Sequence, residues 1–426
     1  MSEKRAPERT AAAALEWVLE ATTRVPLPDS EIGDRVAPAL LDAAGGSDGF
    51  NAAIAGLGRP EVSEIRSSRP DTISVTITGE AAGLLVVHVD AEGRIDTARL
   101  IPAAADRPAP ISWGEIDTRL AELGGRVSFA AARIDADGQP RVIHSLHADT
   151  ARPLGSGFKL YVLAALAHAT ATGTAGWQEM LAIREEWKSL PSGTLQLRPA
   201  GERLTLATYA DHMMSISDNT ATDHLIHHLG RHNVHRQLAA LGHHNPDLNT
   251  PFLTTKALFQ CKVPDDADHA PRYLAAPQDQ RLGVVEELEL LALPDPAGSS
   301  WTRPPQPRYI DEIEWFATPA DICRAYAGLL RFDQPEIDHA LTRDDQGLDL
   351  DSARFPTVWS KPGSEPGVLT LNYLARTTDN QSLVTSLMVS DPVTAFDDVM
   401  AGFEGLAIVR GTFQLLDSMT ADASCS

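Results

Sequence analysis

Apolar and polar residues change period along this chain, and the changes divide it. Residues 10–23 place Ala14, Leu15, Val18, Leu19 and Ala21 at helical spacing, and further helices are predicted over roughly 35–43 and 50–57. The period then shortens to two. Glu61–Ser67, Thr72–Thr78, Gly83–Asp90 and Ile95–Ile101 read as short strands, joined by turns such as Arg69-Pro70-Asp71 and Asp90-Ala91-Glu92-Gly93. Helices followed by an antiparallel meander predict a small α+β domain over 1–108, because one sheet face must be covered by the helices. The stretch Pro102–Pro110, rich in alanine and proline, reads as a linker.

Beyond the linker the pattern predicts a short helix, Trp113–Leu123, then strands Val127–Asp135 and Pro140–Leu146 around a turn at Ala136-Asp137-Gly138. From about 177 to 345 the spacing is helical. Within it, 262–310 reads as an insertion rich in proline, aspartate and glycine, with one acidic helix, Gln280–Leu293. Three strands follow, Thr357–Lys361, Gly367–Arg376 and Ser382–Ser390, and an amphipathic helix over roughly 394–416. The expected second domain, 109–426, is therefore an antiparallel sheet built from both ends of the segment with a helical block inserted between.

Composition narrows the function classes. Apolar residues make up 43% and charged residues 22%, ordinary values for a globular chain. A formal net charge of −22 argues against nucleic-acid binding, because a polyanion would be repelled. No stretch reaches the length of a membrane span, and the charged amino-terminal segment lacks the apolar core of a secretory signal. The expectation is a cytoplasmic protein acting on a small molecule, with no nucleic-acid or membrane partner and no cofactor. Cys261, Cys323 and Cys425, odd in number and far apart, read as reduced thiols.

The chemistry begins at Leu154-Gly155-Ser156-Gly157-Phe158-Lys159, where a glycine-flanked serine opens a long apolar run that reads as a helix. Lys159 lies three residues after Ser156, so both side chains emerge on one face. A serine hydroxyl at the positive end of a helix, beside an amine able to lose its proton, is a plausible activated nucleophile. Lysine is scarce: only Lys4, Lys159, Lys188, Lys256, Lys262 and Lys361 occur. An arginine could carry surface charge equally well but could not act as a base. Further on, Ser217-Asp218-Asn219 sits in a loop before another helix, and Lys361-Pro362-Gly363-Ser364 leads out of a strand.

These motifs, S-x-x-K, S-D-N and K-x-G, in this order and on these elements, resemble those of the penicillin-recognising serine hydrolases, the class A β-lactamases and penicillin-binding proteins. The resemblance covers about 114–426. It implies that Ser156 is the acylated nucleophile and Lys159 its base. Ser217 would relay a proton to the leaving group, and Asn219 would hold Lys159 and the substrate. Lys361 would keep the site positive, favouring neutral Lys159 and drawing a substrate carboxylate. Gly363 and Ser364 would line the substrate site, the backbone N–H groups of Ser156 and Ser364 forming the oxyanion hole. The amino-terminal domain resembles the cone-shaped ketosteroid-isomerase and nuclear-transport-factor superfamily, and no ionisable pair in it stands out as catalytic. It reads as a structural or docking module.

Departures from the family refine the expectation. Class A β-lactamases carry a glutamate that activates the deacylating water. The corresponding stretch here is Asn245-Pro246-Asp247-Leu248-Asn249, which puts Asn245 in the glutamate position, with Asp247 as a substitute. Pro362 removes a hydroxyl that would otherwise hold a substrate carboxylate. Together with the two-domain plan, this resembles the β-lactamase-like esterases of clavulanic-acid biosynthesis. The implied activity is an esterase or a slow β-lactamase.

Two alternatives remain open at this level. One is a protein in which acylation is the endpoint. The other is a metallohydrolase built on the histidine-rich stretch His224, His227, His228, His232, His235, His243 and His244, where His224/His228 and His228/His232 have i, i+4 spacing. No recognised metal motif accompanies those histidines, and a solvated helix face with one or two packed rings is the simpler reading. Trp359 is assigned to the core and Arg376 to the surface.

Overall fold

The structure is a computed structural model. It describes all residues except 1–9, 69–71, 91, 103–106, 263–268, 294–305, 344, 346, 396–397 and 424–426. Lys4, the turn Arg69-Pro70-Asp71 and Cys425, named above, lie outside the described residues. The chain divides into two compact units, Met1–Asp106 and Arg107–Ser426.

In the first unit four helices, Ala11–Ala21, Asp29–Arg35, Pro38–Ala43 and Gly46–Gly56, precede a four-stranded antiparallel meander. Its strands are Glu61–Ser68, Thr72–Thr78, Gly83–Val89 and Ile95–Pro102. Thr10 caps the first helix by accepting a hydrogen bond from Ala13 N. That helix buries Leu15, Trp17 and Val18 with Ile73, Val75 and Val87 of the sheet, and Trp17 stacks on Phe50. The helix expected over 35–43 begins only at Pro38, and a helix not expected from the pattern, Asp29–Arg35, precedes it. Pro38 disfavours helical backbone at Ala37 but suits the first turn of a new helix, and Val36 instead bridges to Ile95. One ionisable pair not singled out in the sequence, His88 with Asp96, joins neighbouring strands.

The second unit is organised on an antiparallel sheet. Its main path runs Thr357–Ser360, Val368–Arg376, Ser382–Ser390, Arg126–Ile134, Pro140–Leu146, and Gly363–Glu365 also pairs with Val368–Arg376. The two ends of the segment meet at the centre: Ser382 pairs with Ile134 and Ser390 with Arg126, an unbroken register over both strands. A block of helices is inserted between them in sequence. The helix Lys159–Ala171 runs through its core, with Leu160 to Ala167 buried on every side. Full burial of each of Leu160, Leu163 and Leu166 contributes about 1.5–3 kcal/mol, which anchors the helix that carries the motif lysine.

Three boundaries differ from the sequence pattern. The strand expected to reach Lys361 ends at Ser360 and resumes at Gly363, because Pro362 has no N–H for the ladder. The acidic helix is shorter, Arg281–Glu289, behind a 3-10 turn at Gln278–Gln280. The last helix spans Asp398–Ala423. The two-residue pairing of Arg152–Pro153 with Phe316–Ala317 gave no periodic signal, being too short for one. Among the described residues no helix is long and apolar enough to cross a membrane.

Candidate active site

Ser156 lies in a 3-10 turn, Gly155–Phe158, that runs straight into the Lys159–Ala171 helix. The turn is tight at Gly155, where a side chain is excluded. Gly155 has φ +49°, and a Cβ there would come within 2.9 Å of Ser364 N. A Cβ on Gly363 would lie 2.2 Å from Leu154 O and 2.7 Å from Ser156 N. The Gly155–Phe158 turn and the Gly363–Glu365 strand therefore touch backbone to backbone, bringing the amides of Ser156 and Ser364 onto adjoining segments. Thr370 Oγ1 donates to Leu154 O at 2.9 Å and locks the turn to the sheet.

Lys159 is completely buried. Its Nζ donates to Asn219 Oδ1 at 2.7 Å, to Ser217 O at 2.6 Å and to Ser217 Oγ at 3.0 Å. Burial pushes its pKa down to about 7, against the pull of the Asp218 and Asp223 carboxylates.

Ser217 reaches Lys159 with both carbonyl and hydroxyl because its backbone is left-handed, φ +57°. A non-glycine residue held there is strained, and the strain is localised at the site. Asp218 caps the next helix by accepting from Ala221 N, and its other oxygen accepts from Thr194 N and Leu195 N. Asn219, the first residue of the helix Asn219–Leu229, donates Nδ2–H to Leu190 O at 3.0 Å. Ser192 Oγ donates to Ser217 O at 2.7 Å. These partners on the Leu190–Leu195 segment were not singled out from sequence, although Pro191-Ser192-Gly193 is a turn signal.

Lys361 approaches from the sheet. It is buried, and its Nζ donates to Ser217 Oγ at 3.1 Å and to Pro362 O at 3.1 Å. Asn372 holds it in place: Asn372 Nδ2 donates to Lys361 O and Lys361 N donates to Asn372 O. Asn372 Oδ1 in turn accepts from Ser386 Oγ. Lys159, Ser217, Asn219 and Lys361 are thus joined by hydrogen bonds, and the Ser156 turn meets Gly363 and Ser364 by backbone contact. Ser217 Oγ, accepting from two lysines, keeps its own hydrogen available for a third group.

The other sequence candidates lie elsewhere. Asn245 and Asp247 are both exposed, while Asn249 is buried and exchanges hydrogen bonds with the Phe316 backbone. Trp359 is buried. Arg376 lies over its ring and pairs with Asp338, so both are occupied structurally.

The histidines disperse. His224 Nδ1–H donates to Thr220 O while its Nε2 accepts from Arg184 N, and burial lowers its pKa to about 4. His227 stacks on Trp187, His228 faces Glu179 and His235 bonds to Pro246 O. Neither i, i+4 pair gathers a third ligand among the described residues. The group whose donor atoms do converge is His243, His244 and Asp321. His243 Nε2–H donates to Phe316 O, and Asp321 accepts from Thr318 N, His244 N and Arg324. Its ligand atoms already serve to pin a helix start.

Residues 113–280 match the family model described as the β-lactamase enzyme family. No curated protein matches the chain in sequence. Similar solved structures include a β-lactamase of Sphaerobacter thermophilus, with 20% identity, covering 72% of this chain and 97% of the other at a TM-score of 0.49. A β-lactamase of Burkholderia vietnamiensis has 17% identity, 71% and 96% coverage and a TM-score of 0.48. The chromosome-encoded β-lactamase of Vibrio parahaemolyticus has 14% identity, 72% and 98% coverage and a TM-score of 0.47.

Proposed function

We propose that the protein is a serine hydrolase that works through an acyl-enzyme at Ser156. Its substrate would be a small β-lactam or ester bearing a carboxylate, turned over as an esterase or a slow β-lactamase. The observation that carries this reading is the buried Lys159, its pKa lowered to about 7, hydrogen-bonded to Ser217 and Asn219 one turn from Ser156. A neutral amine there can take the Ser156 proton as Oγ attacks a carbonyl carbon. The amides of Ser156 and Ser364 would receive the oxyanion. As the tetrahedral intermediate collapses, Ser217 Oγ–H protonates the leaving group and is recharged from Lys159 or Lys361. Lys361 adds a positive charge suited to a substrate carboxylate.

Deacylation is expected to be slow, because Asn245 is an amide and, like Asp247, faces solvent. The same observation favours a second reading, in which the acyl-enzyme is the endpoint and the protein is an acyl-binding sensor. The two-unit plan and the motif spacing support placing the chain beside the esterases of clavam-type metabolism, in the cytoplasm. The Met1–Asp106 unit would then be a cone-like structural or docking module. A 3′-acetoxy cephalosporin separates the readings. Acetate release without ring opening supports the esterase, and a single-turnover burst with no steady rate supports the sensor. No release and no adduct, with Ser156→Ala behaving alike, contradicts both.

A further inference from the structure

Behind the nucleophile turn lies a group of ionisable side chains that none of the motifs includes. Glu314 is buried just before the strand Phe316–Ala317, and one oxygen, Oε2, accepts from Trp315 N at 2.9 Å and from Gly155 N at 3.2 Å. Gly155 is the residue before Ser156. Its other oxygen, Oε1, lies 3.5 Å from Lys262 Nζ, at the end of the helix Thr255–Lys262. Lys262 is itself buried and donates to Glu365 Oε1 at 2.5 Å. Glu365 follows Ser364 directly, on the strand whose backbone touches the nucleophile turn. Phe158 and Trp315 stack with their ring centroids 3.5 Å apart beside the group.

We propose that Lys262, Glu314 and Glu365 form a positioning device for acyl transfer, holding the Gly155–Ser156 and Gly363–Ser364 segments at the separation an oxyanion requires. This rests on the acyl-enzyme reading of Ser156. One ammonium, that of Lys262, serves both carboxyl groups. Such a pair in a dry site shares one proton, since two carboxylates side by side would repel. Burial and the neighbouring Glu365 push the Glu314 pKa up, against the pull of Lys262, which favours a protonated Glu314. The charged groups facing it among the described residues are Lys262 and Glu365. The neighbouring Cys261 thiol, pushed up to about 12 by burial, stays neutral. Loss of the Glu314 proton would leave two negative charges against one positive charge and drive the turn and the strand apart. Glu314 is thus a positioning residue, acting through the Gly155 amide.

The test is the rate of Ser156 acylation by a fluorogenic penicillin between pH 6 and 10, followed by intact mass on the full chain. In the wild type the rate should rise through about 7 as Lys159 deprotonates and fall at higher pH as Glu314 loses its proton. Glu314→Gln keeps an oxygen for the Gly155 amide without a titrating proton. It should acylate within about threefold of wild type at pH 7 and lose the falling limb, whereas Glu314→Ala should be slower by about 30-fold or more at every pH. An unchanged falling limb in Glu314→Gln overturns the proposal, as does a wild-type rate in Glu314→Ala. The Gln variant keeps the proposal testable if the Ala variant does not fold. Absence of any adduct on wild type and Glu314→Gln alike would instead remove the acyl-enzyme reading on which the proposal rests.

Discussion

Lys159 and Lys361 share one hydroxyl: Ser217 Oγ lies 3.0 Å from the first Nζ and 3.1 Å from the second. One lysine comes from the core helix and the other from the sheet edge, so the hydroxyl sits where the two halves of the domain meet. A serine between two amines can give its proton to a leaving group and recover it from either side.

Under the proposed mechanism, replacing Lys159 by arginine removes the base. Acylation of Ser156 by a penicillin is expected to fall by about 10³-fold, because a guanidinium does not deprotonate. Stopped-flow or intact-mass kinetics would read it. Retention of more than about a tenth of the rate would show that Lys159 is not the base.

The pH dependence follows from burial. Lys159 is protonated below its lowered pKa, so acylation should rise about tenfold per pH unit up to about 7 and then level off before any further titration. The linkage has the same cause. The folded state binds fewer protons than the unfolded chain between about 7 and the ordinary lysine value of 10.5. The cost of burying this group is therefore greatest at low pH and fades as pH rises through that window. A rate flat from pH 5 to 8 would contradict the assignment.

Ser217 should show a trade between stability and activity. Ser217→Gly relieves a left-handed backbone at φ +57°, worth about 1 kcal/mol, and removes the hydroxyl proposed as the proton relay. Acylation is expected to drop by about 10²-fold while the unfolding free energy holds within about 1 kcal/mol of wild type. Denaturant titration alongside acylation kinetics tests this. Parallel losses of both would mean that the residue is only structural.

Gly363→Ala should be severe. Its Cβ would meet the Leu154 carbonyl at 2.2 Å and Ser156 N at 2.7 Å, both backbone atoms that cannot swing aside. A loss of about 2–4 kcal/mol in stability is expected, with acylation undetectable. Wild-type melting behaviour in this variant would mean that the turn and the strand do not touch.

Asn245→Glu restores a carboxylate by sequence position alone. Because the side chain faces solvent, it should speed deacylation by less than about threefold. A large gain would mean that this loop closes over the site.

What the residues disclosed, and what they did not, divides along physical lines. The Lys159–Ala171 helix and the strands Val368–Arg376 and Ser382–Ser390 were legible because full or alternating burial leaves a periodic signal. The grouping of Lys159, Ser217, Asn219 and Lys361 was legible because each lies in a short motif with fixed offsets. Glu314, Glu365 and Asn372 were not. They act through backbone atoms of residues distant in sequence, and a lone carboxyl or amide in a strand or loop carries no spacing to read. The helix start at Pro38 and the gap at Pro362 were legible in principle, since each proline removes an amide, but helical and alternating spacing on either side masked both.

The most direct measurement is intact-protein mass and peptide mapping after mixing with a fluorogenic penicillin, for wild type and Ser156→Ala. A mass gain equal to the whole penicillin, mapped to the Ser156 peptide and absent from Ser156→Ala, is the expected result. Its absence from the wild type, or its presence in both proteins, would contradict acyl-enzyme chemistry at Ser156.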